Sequence, residues 1–155
     1  MTKRSVIILS VLAAAVLLVS TAIAQLPQHN PQDLNFITVS TNVPSNVTVG
    51  NSFNVVLTMK NSANRAIFVD SIDVHDEWAD GVRISAVNPP SQGEPFHIPG
   101  DNSWSYTMQQ TIPPKSSLTV TFTSVAMSPG YHSGNIDVCV TYADCKVVTV
   151  STTAK

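Results

Sequence analysis

Four apolar residues, Phe53, Val55, Leu57 and Met59, alternate with Asn54, Thr58 and Lys60, and only Val56 breaks the pattern. The same two-residue period returns at Leu118, Val120 and Phe122, spaced by Thr119 and Thr121. A helix would spread such side chains around its axis, whereas a strand sets them on one face. Both segments are therefore expected as strands facing a core. Further strand candidates are 37–41, 66–74, 82–87, 104–110, 135–142 and 146–151. Within 66–74 the apolar phase changes between Val69 and Ile72, which predicts a bulge or a crossing between sheets. Turn-forming groups such as Val49-Gly50-Asn51, Asn88-Pro89-Pro90, Pro99-Gly100-Asp101 and Ser128-Pro129-Gly130 separate the runs. Seven to eight short strands with no long helical period predict an all-β antiparallel sandwich.

The ends bound the compartment. Lys3 and Arg4 precede an apolar run from Val6 to Val19, and Ala22-Ile23-Ala24 offers small residues at cleavage positions, the pattern of an export signal. Cleavage after Ala24 is the expectation; the alternative is retention as a membrane anchor, since the run to Ile23 approaches spanning length. The chain thus divides into a signal at 1–24, an extended leader at 25–35 with two prolines and no apolar period, and one domain at 36–152. The expected location is secreted, periplasmic or cell-surface, with membrane contact only through an uncleaved signal. Without Lys3 and Arg4, six basic residues stand against ten acidic ones. A mildly acidic chain is poorly suited to phosphates, so nucleic acid is excluded as a partner.

The stretch VTVGNSFNVVLTMKNSANRAI (47–67) resembles the opening strands of immunoglobulin-like modules of the cell-adhesion-related and NPCBM-associated kind in bacterial and archaeal surface proteins. TIPPKSSLTVTFTSVAMSPGYHSGNIDVCV (111–140) continues that pattern with a Pro-led turn, an alternating Thr strand, Pro-Gly and a closing strand. The resemblance implies an immunoglobulin-like β-sandwich that works as a spacer, adhesive unit or accessory domain. It implies protein or glycan partners at the cell surface, self-association among them, and carries no catalytic signature.

Cys139 and Cys145, in CVTYADC, are the chain's two cysteines. In an exported protein with no competing thiol they are expected to oxidise to each other and pin the last hairpin. Cys139 has the opposite parity to Ile136, Val138 and Val140, which places it on the outer face of the sheet or under a covering loop. Thiol–disulfide exchange is the alternative. The spacing is similar to that in the amino-terminal domain of the thiol:disulfide interchange protein DsbD, but here the first cysteine lies in IDVCV and no aromatic-Pro segment follows Cys145. PGYHSGNIDVCV is superficially similar to a strand leading to a blue-copper loop, yet no His or Met follows Cys139 as that chemistry requires.

His29, His75, His97 and His132 stand singly without ligand spacing, so no metal or cofactor is assigned. Asp70, Asp73, Asp76, Glu77 and Asp80 crowd DSIDVHDEWADG, which suits solvated loop acids better than a calcium loop. No Gly-x-Ser-x-Gly elbow is present, and the expectation is a non-enzyme. Recognition is expected from loops at the sandwich ends, 75–81 and 88–103, with His75, Asp76, Trp78 and Asp80 as candidate binding residues. Trp78, flanked by acids, is expected to be exposed there; Trp104, Tyr106 and Met108 alternate like core positions.

Overall fold

A computed structural model describes residues 30–141 and 143–155. The expected signal and residues 25–29 of the expected leader lie outside those residues. Within the leader, Pro31–Phe36 is a 3-10 turn rather than extended chain: Asn30 Oδ1 accepts from the Gln32 amide, and a proline stands at the start. Asp33 in this turn is buried and paired with Arg65, which ties the entry of the chain to the domain.

The protein is an all-β, immunoglobulin-like sandwich of two sheets. The smaller sheet orders β1 (Ile37–Asn42), β3 (Ser52–Asn61), β8 (Ser117–Ala126) and β5 (Val82–Asn88) as β1-β3-β8-β5. The larger runs β2 (Asn46–Val47), β10 (Cys145–Ala154), β9 (Gly130–Cys139), β4 (Ile67–His75), β7 (Ser103–Ile112) and β6 (Phe96–Ile98), in the order β2-β10-β9-β4-β7-β6. The two short edge strands, β2 and β6, are those the alternation did not signal. They have two and three residues, too few for a period to show.

Val55, Leu57 and Met59 of β3 and Val120 and Phe122 of β8 face Ile72, Val74, Met108, Ile136 and Val138 across the core, all essentially without solvent contact. The Tyr106 and Phe122 rings meet edge to face at 5.2 Å and join the sheets. One polar residue buried in it is Asn61: its Nδ2 donates to the carbonyls of Arg65, Ile112 and Pro113, and its Oδ1 accepts from the Ala63 amide. With its amide group satisfied on both sides, Asn61 is buried without the cost of an unpaired group.

The expected phase change in β4 coincides with a bulge whose extra residue is on its neighbour β7. Register shifts between Val69 and Ser71, where Met108 and Gln109 of β7 oppose the single residue Asp70, and Gln109 adopts φ 48°. Beyond it Ile72 and Val74 face inward, and Ser71 and Asp73 belong to the outer parity.

Trp78 corrects the sequence reading. It lies on a single helical turn, α1 (Asp76–Ala79), and is fully buried. The turn is only four residues long, and the acids beside Trp78 give no sign of its inward direction. Gly134 on β9 makes room: a Cβ there would lie 2.6 Å from the Trp78 backbone nitrogen. Trp78 is therefore a core residue and not a contact residue. Trp104 departs the other way, remaining 40% exposed, while Tyr106 and Met108 are buried as expected.

Candidate functional site

The outer face of the six-stranded sheet carries groups that a solvated strand face does not need. Asp73, Ser103, Ser105 and Cys139 all have outward parity, yet all are buried. They pack on one another: Ser105 is bonded to Asp73, and Asp73 touches Cys139, which is bonded to Cys145. Residues 89–102 carry β6, which pairs with β7 at the sheet edge, and across the outer face between that edge and the start of β10 lies a cleft of about 870 Å³. Its floor is Ser71, Asp73, Ser105 and Asp137; Phe96 to Asp101 form one wall, and Ala143, Cys145 and Val147 the other. Two exposed apolar residues, Phe96 and Val147, flank the opening.

Cys139 and Cys145 form a disulfide across the first rung of the β9–β10 hairpin. The connecting loop is tight: the Val140 amide donates to the Asp144 carbonyl, and Thr141 Oγ1 donates to Asp144 Oδ2. The two cysteines differ in exposure. Cys139 is completely buried, whereas Cys145 is partly exposed and lines the cleft.

Asp73 Oδ2 lies 3.4 Å from Cys139 Sγ. A disulfide sulfur has no hydrogen to donate, so this is a contact and not a hydrogen bond. The Ser105 hydroxyl donates to Oδ1 at 2.6 Å. Burial raises the Asp73 pKa; hydrogen bonds from Ser105 and Ser71 oppose the rise, and the charges of Asp137 and Asp101 add to it.

His75 Nε2 donates to Asp137 Oδ2 at 3.1 Å, and both side chains are largely buried. Burial by itself lowers the His75 pKa, but the hydrogen bond and charge of Asp137, with Asp101 and Glu77, raise it on balance. The other Asp137 oxygen, Oδ1, is buried with no protein partner. Asp70 also lines the cleft; the register shift between Val69 and Ser71 lies between it and Asp73, whose sequence parity is the opposite. Among the described residues, Asp73 and the two cysteines form a group that converges within metal-ligand distance, and the disulfide occupies both sulfurs.

The four candidate residues on 75–81 do not form one site. His75 joins Asp137; Asp76 is bonded to His97 Nε2 at 2.9 Å; Trp78 is in the core; Asp80 is exposed at the end of α1. The 88–103 segment supplies the cleft wall. Sequence reasoning missed Asp101, Asp137 and Phe96. For Asp137 the signal was present, since it shares the outward parity of Cys139 two residues before it.

No protein-family model matches the chain, and none of the curated proteins is similar to it in sequence. Solved structures similar to it include a cohesin module of a Clostridium perfringens family 33 glycoside hydrolase, 10% identical with a TM-score of 0.49, covering 77% of this chain and 97% of that one. Another is the CARDB domain of a Pyrococcus furiosus protein in complex with di-metal ions, at 15% identity and a TM-score of 0.44, covering 76% and 91%. A third is the cupredoxin domain of amoB from Nitrosocaldus yellowstonii, at 10% and 0.48, covering 84% and 90%. These likenesses extend to general architecture alone. Among the described residues, no helix is long and apolar enough to cross a membrane.

Proposed function

We propose that this protein is an exported, non-catalytic binding module of the cell surface or periplasm that receives a segment of a partner protein in the cleft on the outer face of the six-stranded sheet, between Phe96 to Asp101 on one side and Cys145 to Val147 on the other. The observation that carries this reading is the composition of the cleft. Asp70, Asp101 and Asp137 line it, with no lysine or arginine among the described lining residues, and Phe96 and Val147 stand exposed at its mouth. Acids in a half-enclosed space favour a cation, and the apolar flank favours a side chain beside it. A basic residue next to an apolar one on a partner segment meets both demands. The disulfide supports export, since such bonds persist in oxidising compartments.

The test is a binding panel of immobilised peptides that are basic–apolar, acidic–apolar or neutral, with polysaccharides alongside. The basic–apolar peptides should bind, and the Asp101→Asn/Asp137→Asn double variant should weaken them about tenfold. Equal binding of acidic peptides, or binding of glycans only, would sink the reading of the cleft as a receiver of basic protein segments.

A further inference from the structure

The cleft reaches one of the two disulfide cysteines. A disulfide that only pinned the hairpin would need neither cysteine to face a cavity, nor a buried carboxylate against the other one. Here Cys145 opens to the cleft, while Cys139 is buried with Asp73 Oδ2 at 3.4 Å. Thiol–disulfide exchange needs such an asymmetry, because an external thiolate must approach one sulfur in line while the other departs. We propose that the Cys139–Cys145 disulfide exchanges with a dithiol of a partner protein entering the cleft, Cys145 taking the attack and Asp73 carrying the proton for Cys139. The inference adds exchange to binding and rests on the cleft being the partner's site.

The step balances as follows. A partner thiolate attacks Cys145 Sγ, the Cys145–Cys139 bond breaks, and its electron pair leaves on Cys139 Sγ. That sulfur takes the proton of the Asp73 carboxyl and becomes a thiol. The partner's second thiolate then attacks its own sulfur in the mixed disulfide and releases Cys145 as a thiolate. The partner dithiol is oxidised to a disulfide, and the pair in this protein is reduced. In reverse, the Asp73 carboxylate accepts the Cys139 proton. Asp73 suits this role because burial, with the charges of Asp137 and Asp101, keeps it protonated at higher pH than an ordinary aspartate. Ser71 and Ser105, which bond the carboxyl, work against this, and His75 is turned to Asp137. Acids around the cleft repel anionic thiols, so the partner's thiol is expected beside basic residues.

The experiment uses the full oxidised protein under native conditions, with dithiothreitol as reductant and acid quench, alkylation and mass measurement as readout. Three results are expected. Reduction proceeds faster than global unfolding. Cys139→Ser forms a mixed disulfide at Cys145 with cystamine, while Cys145→Ser, whose remaining thiol is buried, reacts about tenfold more slowly or worse. The rate constant per thiolate falls as pH rises through the Asp73 titration, and Asp73→Asn removes that dependence with about a tenfold loss at the acid end.

Reduction limited by unfolding, or equal labelling of the two single-cysteine variants, overturns the exchange. If Asp73→Asn does not fold, the pH profile of the native protein decides, and a flat profile overturns the role of Asp73. Small thiols need no partner recognition, so loss of peptide binding with exchange intact counts against the cleft reading alone. Faster reaction of cationic cysteamine than of anionic glutathione, per thiolate, supports both; equal rates count against the acidic cleft.

Discussion

The two outer faces of this sandwich teach different lessons. On the four-stranded sheet, Asn54, Thr58 and Lys60 of β3 and Thr119 and Thr121 of β8 alternate with core residues, are polar, and meet solvent. On the six-stranded sheet, residues of the same outward parity include Asp73, Ser105 and Cys139, and these are buried. A polar residue on an outer face costs nothing in water, whereas a buried carboxylate is costly unless its lone pairs are met. The second face is thus held in an expensive arrangement that packing by itself does not demand. Costs of this kind gather at working sites.

The largest effect expected from breaking this contrast lies at the hinge between the sheets. Trp78→Ala should cost about 3–5 kcal/mol in denaturant unfolding, because it empties a fully buried aromatic site. A change below about 0.5 kcal/mol, the size usual for surface positions, would restore the contact role expected from sequence. Next comes the disulfide. Replacing both cysteines by alanine should cost about 2 kcal/mol, the loop-closure entropy of so short a ring, measured under the same conditions.

The His75–Asp137 pair should contribute less, about 0.2–1 kcal/mol, and only at acid pH. Its sign follows from the raised His75 pKa. Below the ordinary value of 6.5 the imidazolium is charged both folded and unfolded, so its contribution is fully present; the contribution is lost as pH rises through the folded-state value. Asp137→Asn should therefore lower the melting temperature more at about pH 5.5 than at about pH 8.5. A deficit that grows toward alkaline pH would contradict the pairing. At the small end, Lys60→Gln on the four-stranded face should stay within about 0.5 kcal/mol and leave peptide binding unchanged.

This difference between faces also explains what was legible in the sequence. The four-stranded sheet could be read directly, because Phe53 to Lys60 and Leu118 to Phe122 obey one period with one solvent. The irregularity between β4 and β7 was visible too, as the phase change after Val69. The cleft was not, because it depends on residues 96–101 docking at the edge of the sheet, and Pro89-Pro90 and Pro99-Gly100 announce a loop without its direction. Parity put Cys139 on the outer face or beneath a loop, and the structure places it on the outer face, buried against Asp73 and Cys145. Trp78 misled because its acidic neighbours dominate a window too short for a helical period. Asp137 could have been found from the parity it shares with Cys139, whereas Phe96 and Asp101 carried no local pattern, since only tertiary contact gives them company.

The central claim is that the outer face of the six-stranded sheet is the working surface. Amide chemical shifts of the labelled protein, followed during titration with a lysine–leucine peptide, test it most directly. The account predicts shifts confined to 70–73, 96–101, Asp137 and Cys145 to Val147, with the β3 and β8 amides silent. Shifts centred on Thr58, Lys60 and Thr121 instead would contradict it.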